Sequence, residues 1–147
     1  MSFSMNVKKL NENATVPTYG SAYAAGADLY ACEETEITIA PNETKLIHTG
    51  IAMEIPEGLV GLIYARSGLA SKRGLAPANK VGVIDSDSRG EIMVALHNHG
   101  TAPQTVAMGE RIAQIVFAPY YAAQFTVVDE LSDTVRGAGG FGSTGTK

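Results

Sequence analysis

Arg66-Ser67-Gly68-Leu69-Ala70 puts a guanidinium, a hydroxyl and a glycine side by side at the head of a short run of good helix formers. The free N–H groups of a helix start, the Ser67 hydroxyl and the Arg66 charge can converge on one anion, and Gly68 lets the backbone approach it; phosphate is the natural guest. The same residues also suit an ordinary cap beside a surface charge. The segment from Arg136 to Lys147 holds five glycines and a single large apolar side chain, Phe141. Successive glycine N–H groups can form a nest around phosphate oxygens, Arg136 adds positive charge, Ser143 and Thr144 add hydroxyls, and Phe141 offers a ring for stacking. Such an arm can cap a nucleotide at both ends, although a polar tail of no function has much the same composition. It buries too little surface to offset its ordering entropy, so it is expected to move unless a ligand holds it.

In Gly82-Val83-Ile84-Asp85-Ser86-Asp87-Ser88-Arg89-Gly90-Glu91 an apolar strand runs into a carboxylate and then a turn. Asp85 at the strand end can accept a proton from an attacking water. A plain hairpin turn explains Asp-Ser-Asp-Ser equally well. Two weaker signals are Ala25-Gly26-Ala27-Asp28-Leu29, where Asp28 is also readable as a buried structural acid, and Gly109-Glu110-Arg111-Ile112-Ala113-Gln114. His48, His97 and His99 have no carboxylate and nucleophile at useful spacing and read as structural or exposed, so no Ser-His-Asp machinery is expected.

Strands must position these groups. Apolar residues recur at a spacing of two in short runs closed by Gly, Pro, Asn or Asp. The pattern predicts strands at Val7 to Leu10, Ala27 to Ala31, Glu36 to Ile39, Thr44 to His48, Ile51 to Ile55 and Leu59 to Ala65. It predicts further strands at Val81 to Asp85, Glu91 to His97, Gln104 to Ala107, Arg111 to Phe117 and Phe125 to Val128. Together they make an all-β, jelly-roll-like barrel or sandwich. One short helix is expected after Ser67, over Leu69 to Arg73, stopped by Gly74. The expected division is a β domain over 1–135 and a mobile arm over 136–147.

The 16 glycines among 147 residues exceed the usual ~7% and favour turns over long helices. A net charge of -4 leaves no basic surplus for a nucleic-acid backbone. With Cys32 as the only cysteine, neither an intrachain disulfide nor a thiolate zinc site is available. The longest apolar run, Ile115 to Ala123, contains Pro119 and is far short of a membrane span. Met1 to Lys9 shows no apolar signal core. A soluble, cytoplasmic protein is expected, with no membrane or nucleic-acid partner.

Taken in order, five segments resemble the five motifs of the trimeric dUTP pyrophosphatases, or dUTPases: Ala25 to Leu29, Arg66 to Ala70, Gly82 to Glu91, Gly109 to Gln114 and Arg136 to Gly145. The resemblance implies hydrolysis of dUTP to dUMP and pyrophosphate, which removes dUTP and supplies dUMP for thymidylate synthesis. It implies a jelly-roll homotrimer with active sites between subunits and Mg2+ on the triphosphate. Asp85 then holds and deprotonates the water that attacks the α-phosphorus. Arg66, Ser67, Gly68 and Gln114 contact phosphates, and Arg136, Gly142, Ser143 and Thr144 belong to an arm that closes on the γ end. Phe141 stacks on uracil. The hairpin from Asn79 to Asp85, with Val83 and Ile84 in it, reads the base chiefly through its main chain, with Met93 near the pocket. Asp28 corresponds to an acid that supports water near the metal, without ligating it directly.

At Ser88 the family usually carries an aromatic residue, most often Tyr, whose ring packs on the deoxyribose. Serine removes that floor, and weaker exclusion of UTP is expected. A dCTP deaminase shares the fold and some motifs, but would need a catalytic glutamate, for which Glu91 is the nearby candidate. A nucleotide-binding regulatory module without turnover is the other alternative.

Overall fold

The computed structural model describes residues 2–146; Met1 and Lys147, the outer ends of the expected domain and arm, lie outside the described residues. Among the described residues, eleven strands and one helix follow in the order β1 (Asn6–Lys9), β2 (Thr18–Tyr19), β3 (Ala27–Tyr30), β4 (Ile37–Ile39), β5 (Thr44–Glu54), β6 (Leu59–Tyr64), α1 (Ser67–Arg73), β7 (Leu75–Pro77), β8 (Gly82–Ile84), β9 (Glu91–Asn98), β10 (Gln104–Val106) and β11 (Arg111–Pro119). They form an open sheet β1-β5-β9-β7, a second open sheet β2-β3-β11-β6-β8, and the pair β10-β4. The sandwich alternative holds, since neither large sheet closes on itself.

Alternation explains the layering, because successive strand side chains point to opposite faces. Ile47, Ile92, Val94 and Leu96 of the first sheet meet Leu29, Ile63, Ile112 and Ile115 of the second in one buried cluster. Each such side chain contributes about 1.5–3 kcal/mol of apolar burial.

The expected strands at Thr44 to His48 and Ile51 to Ile55 are one continuous strand, β5. Its register against β9 slips between the pairs His48↔Met93 and Ala52↔Glu91. Gly50, with φ of 67°, makes a bulge there and not a turn. The helix begins at Ser67, earlier than expected, with Arg66 in the cap position and no side-chain cap bond. Gly74 ends it in the left-handed conformation at φ 66°, as its place in the sequence predicts.

Phe125 to Val128 forms no strand. Phe125 and Val127 are almost fully exposed, because the chain leaves the sandwich after Pro119 and no strand of the same chain runs beside them. No helix among the described residues is long and apolar enough to cross a membrane.

Candidate active site

The register of the second sheet brings one half of the expected site together. Gln114 on β11 pairs with Asp28 on β3 and with Tyr64 on β6, so the three share one rung and one face. Beyond Tyr64 the chain turns into Arg66 and α1. Arg66 Nε donates to Asp28 Oδ1 at 3.1 Å, and Gln114 Nε2 donates to the Ala65 carbonyl at 2.9 Å. Asp28, Arg66, Ser67, Gly68 and Gln114, with Gly20, Ala24 and Gly26, line one cavity of about 240 Å³. A Cβ at Gly26 would stand 2.9 Å from Gln114 Cδ and would push the amide off its bond to the Ala65 carbonyl. Asp28 is thus a buried acid, as one reading of the sequence had it, and its partners are arginines. Arg111, which the sequence did not single out, adds a second ion pair to Asp28 Oδ2 at 3.5 Å. Only the fold shows it, through the irregular pairing of β11 with β3.

Arg73, in the last turn of α1, fastens this end. It pairs with Glu110 and donates from Nε to Gln104 Oε1 at 3.1 Å and from Nη2 to the Thr105 carbonyl at 2.5 Å. The segment of Arg66 to Ala70 is thus tied to that of Gly109 to Gln114.

Asp85 lies elsewhere. β8 pairs with the middle of β6, in the register Gly61↔Ile84, Leu62↔Val83 and Ile63↔Gly82, and runs toward the Leu59 end, away from Tyr64. Asp85 follows β8, exposed, beside a larger cavity of about 800 Å³ that Leu59, Val60, Leu62, Val83, Arg89 and Tyr120 also line. At ~3.3 Å per residue the two ends of β6 are roughly 15 Å apart. Ile84 turns its side chain toward the core, which leaves only its main chain for a ligand, whereas Val83 is 61% exposed. Asn79 sits in the exposed turn before β8, where Val81 N donates to the Asn79 carbonyl at 2.8 Å. Ser88 is exposed, and its N–H closes the turn onto the Asp85 carbonyl at 3.1 Å. Met93 lies on the first sheet opposite His48 and lines neither cavity.

The arm meets neither cavity. Arg136 Nε bonds the Gly139 carbonyl at 2.8 Å, Ser143 N bonds the Gly140 carbonyl at 3.1 Å, and Gly142, Ser143 and Thr144 are exposed. Phe141 is fully exposed, with a φ of 49° that is uncommon for an aromatic residue.

Glu91 lies outside the lining of the Asp85 cavity. Its carboxylate accepts from His48 Nδ1 at 3.0 Å and from Gly50 N at 2.9 Å. Burial pushes its pKa up, but these bonds outweigh it and hold the carboxyl below its ordinary range. The Glu91 bond raises the His48 pKa against an opposing effect of burial. His48 is thus not without a carboxylate, as its spacing suggested: a partner 43 positions away reaches it. Burial, then the Glu91 and Glu33 charges, raise the Cys32 thiol, which makes it a poor nucleophile.

Comparison with known proteins settles the family. A family model described as dUTPase matches residues 12–145. The chain belongs to the dUTPase family. The reaction of dUTPases is hydrolysis of dUTP to dUMP and pyrophosphate. A deoxyuridine 5'-triphosphate nucleotidohydrolase of Desulfitobacterium hafniense is 54% identical over 131 residues, covering 88% of this chain and 87% of that protein. One from Nautilia profundicola is 51% identical over 141 residues, covering 96% and 98%. The dUTPase of Staphylococcus bacteriophage 80alpha, solved with dUPNHPP, superposes with a TM-score of 0.91 at 29% identity, covering 99% of this chain and all of that one. A phage phi11 dUTPase, described with a structural Mg(II) ion, gives a TM-score of 0.79 at 25% identity, covering 87% and 98%.

In a dUTPase Glu91 has no call to be a deaminase base, and its bonds to His48 and Gly50 hold it away from the Asp85 cavity.

Proposed function

We propose that this dUTPase cleaves dUTP at a site assembled from more than one copy of the chain, with Asp85 of one copy acting on a triphosphate held by Arg66, Ser67, Gly68 and Gln114, beside Asp28, of another. One observation carries the reading: these two groups lie at opposite ends of β6, by two different cavities. Between them Val60, Leu62, Val83, Val116 and Ala118 share one outward sheet face. An apolar face flanked by two half-sites is what a symmetric oligomer covers, and a homotrimer gives three equivalent sites. Phe125 to Val128 has strand character and no partner strand in its own chain, which suits a segment that crosses to a neighbour.

In the reaction, Asp85 takes a proton from a water as its oxygen bonds the α-phosphorus. The bond from that phosphorus to the α–β bridging oxygen breaks, and pyrophosphate leaves with its electron pair. Arg66 and the N–H groups of Ser67 and Gly68 meet the growing negative charge, which is where such a hydrolysis gains most. Gln114 orients a phosphate oxygen while its amide stays anchored on Ala65. The arm closes last: Arg136, Gly142, Ser143 and Thr144 meet the γ end, and Phe141 covers the uracil, which excludes water from the closed site.

Uracil is read by the main chain from Asn79 to Asp85, Val83 and Ile84 included, with Met93 nearby. An edge offering donor, acceptor and donor suits uracil O4, N3–H and O2 and misfits cytosine.

The donor set agrees with Mg2+ carried by substrate. Asp28 offers one carboxylate, already accepting from two arginines, and keeps lone pairs for a water. Mg2+ favours phosphate oxygens and its own waters over a protein cage, so Asp28 would hold it through water. When bound it neutralises charge on the triphosphate.

Ser88 leaves the sugar side open. Ser88→Tyr is expected to raise the dUTP-to-UTP ratio of kcat/KM by about tenfold through exclusion of the 2'-hydroxyl. Pyrophosphate release from dUTP, UTP, dCTP and dTTP with magnesium measures this; an unchanged ratio removes Ser88 from sugar selection. Release from dUTP is expected to dominate the panel, and no release from it would refute the proposed activity.

A further inference from the structure

Glu91 is the first residue of β9 and follows directly on the turn that carries Asp85 and Ser88. That turn is fastened to β5 at two places, one on each side of the β5 bulge. On the far side Arg89 donates from Nη1 to the Ser86 and Ser88 carbonyls at 2.7 and 3.0 Å, and its Nε lies 3.5 Å from Glu54 Oε1. On the near side the Glu91 carboxylate bridges Gly50 N, at 2.9 Å, and His48 Nδ1, at 3.0 Å. The Thr49 hydroxyl completes the junction with a bond of 2.5 Å to the Ile92 carbonyl.

The bulge itself has little freedom. Gly50 is left-handed, and a Cβ there would stand 2.8 Å from Ala14 Cβ. His48 N donates to Glu33 Oε1 at 2.7 Å, and its carbonyl accepts from Cys32 N at 2.7 Å. The imidazole therefore projects from a fixed backbone toward the one carboxylate that joins β5 to the start of β9.

We propose that His48 is a positioning residue for dUTP hydrolysis, acting through Glu91 to hold the start of β9 and, with it, the turn that presents Asp85. The inference rests on the assignment of Asp85 as the base. His48 touches no substrate. Its effect belongs on kcat, because an error of about 1 Å in a reacting group can cost about a hundredfold in rate, whereas the phosphate-binding cavity is on the other end of β6.

The charged groups around His48 are Glu91 from β9 and Glu33 from the segment after β3, with the Cys32 thiol and Lys9 of β1 beyond them. Both carboxylates favour the imidazolium. A raised His48 pKa means that its contribution is complete below its ordinary value of 6.5 and is lost as pH rises through the higher folded value. A lowered Glu91 pKa means that its contribution is complete above its ordinary value of 4.5 and is lost as pH falls through the lower one. The ionic part of the tie is therefore fullest between those two ordinary values and weakens on the alkaline side.

Steady-state kinetics of the full chain with dUTP and magnesium test this in His48→Ala, His48→Asn and Asp85→Asn. His48→Ala is expected to lose about tenfold in kcat with KM within about twofold. His48→Asn keeps a neutral donor near the Nδ1 position and is expected to recover most of that loss. The ratio of wild-type to His48→Asn kcat cancels ionisations common to both, and is expected to fall about threefold from about pH 6 to about pH 9. A flat ratio, or an unchanged kcat in His48→Ala, overturns the inference. If Asp85→Asn is inactive and the His48 variants are normal, only this inference fails; if Asp85→Asn turns over normally, the assignment of the base fails.

Discussion

Asp85→Asn should lower kcat for dUTP by about a thousandfold, in the range that loss of a general base produces, with little change in KM. Asparagine keeps the size and one acceptor oxygen of the side chain, so a water can still be held. It has no negative charge to take the proton as the water attacks. The phosphate contacts are expected to survive, because Arg66, Ser67, Gly68 and Gln114 are fixed by interactions that do not involve Asp85. Pyrophosphate release under saturating dUTP, with nucleotide binding measured separately, checks both halves. Weak binding with a normal maximal rate would assign Asp85 to substrate recognition instead.

Removal of residues 136–147 should cost at least about a hundredfold in kcat/KM, because loss of the arm removes the Arg136 charge, a set of N–H donors and the cover that keeps water out. The fold should be indifferent. Gly137 and Gly142 are left-handed within turns, and the bonds of Arg136, Gly139, Ser143 and Gly145 remain inside the arm. Phe141 covers no core residue and is fully exposed. Thermal unfolding and the oligomeric mass of the shortened chain should therefore match those of the full chain. Full activity in the shortened chain would reduce the arm to a solubilising tail.

Much of this arrangement is written locally. Alternating apolar residues gave most of the long strands to within a residue or two, since a half-buried strand cannot hide its period. Gly74 and the residues before it marked the helix end. Two short pieces were not legible: β2 and β7, at two and three residues, pair with longer neighbours that offer them a ladder, whereas β4, β8 and β10, at three residues each, were found within slightly longer alternating runs. Gly50 looked like punctuation between two strands because a bulge and a turn require the same left-handed glycine. Phe125 to Val128 failed for the opposite reason, since its local pattern is that of a strand while it pairs with no strand of its own chain.

The site divides along the same line. Asp28, Arg66, Ser67, Gly68 and Gln114 stood out in local motifs, and the register of β3, β11 and β6 brings them to one cavity. Arg111 and His48 escaped, because their partners Asp28 and Glu91 lie far along the chain and meet them only once the sheets are paired. Spacing alone could not divide the motifs either: nothing in the order of the five segments says that Asp85 and Arg66 occupy opposite ends of one strand.

That separation is the centre of the account, and complementation tests it most directly. Asp85→Asn and Arg66→Ala chains are dissociated together in equal amounts, reassembled and assayed for pyrophosphate release from dUTP. If Asp85 and Arg66 of each site come from different copies, random reassembly leaves about one site in four with both intact, and activity should return to about a quarter of that of wild type. If each chain builds its own site, every site keeps one defect, and the mixture should stay as inactive as its two components.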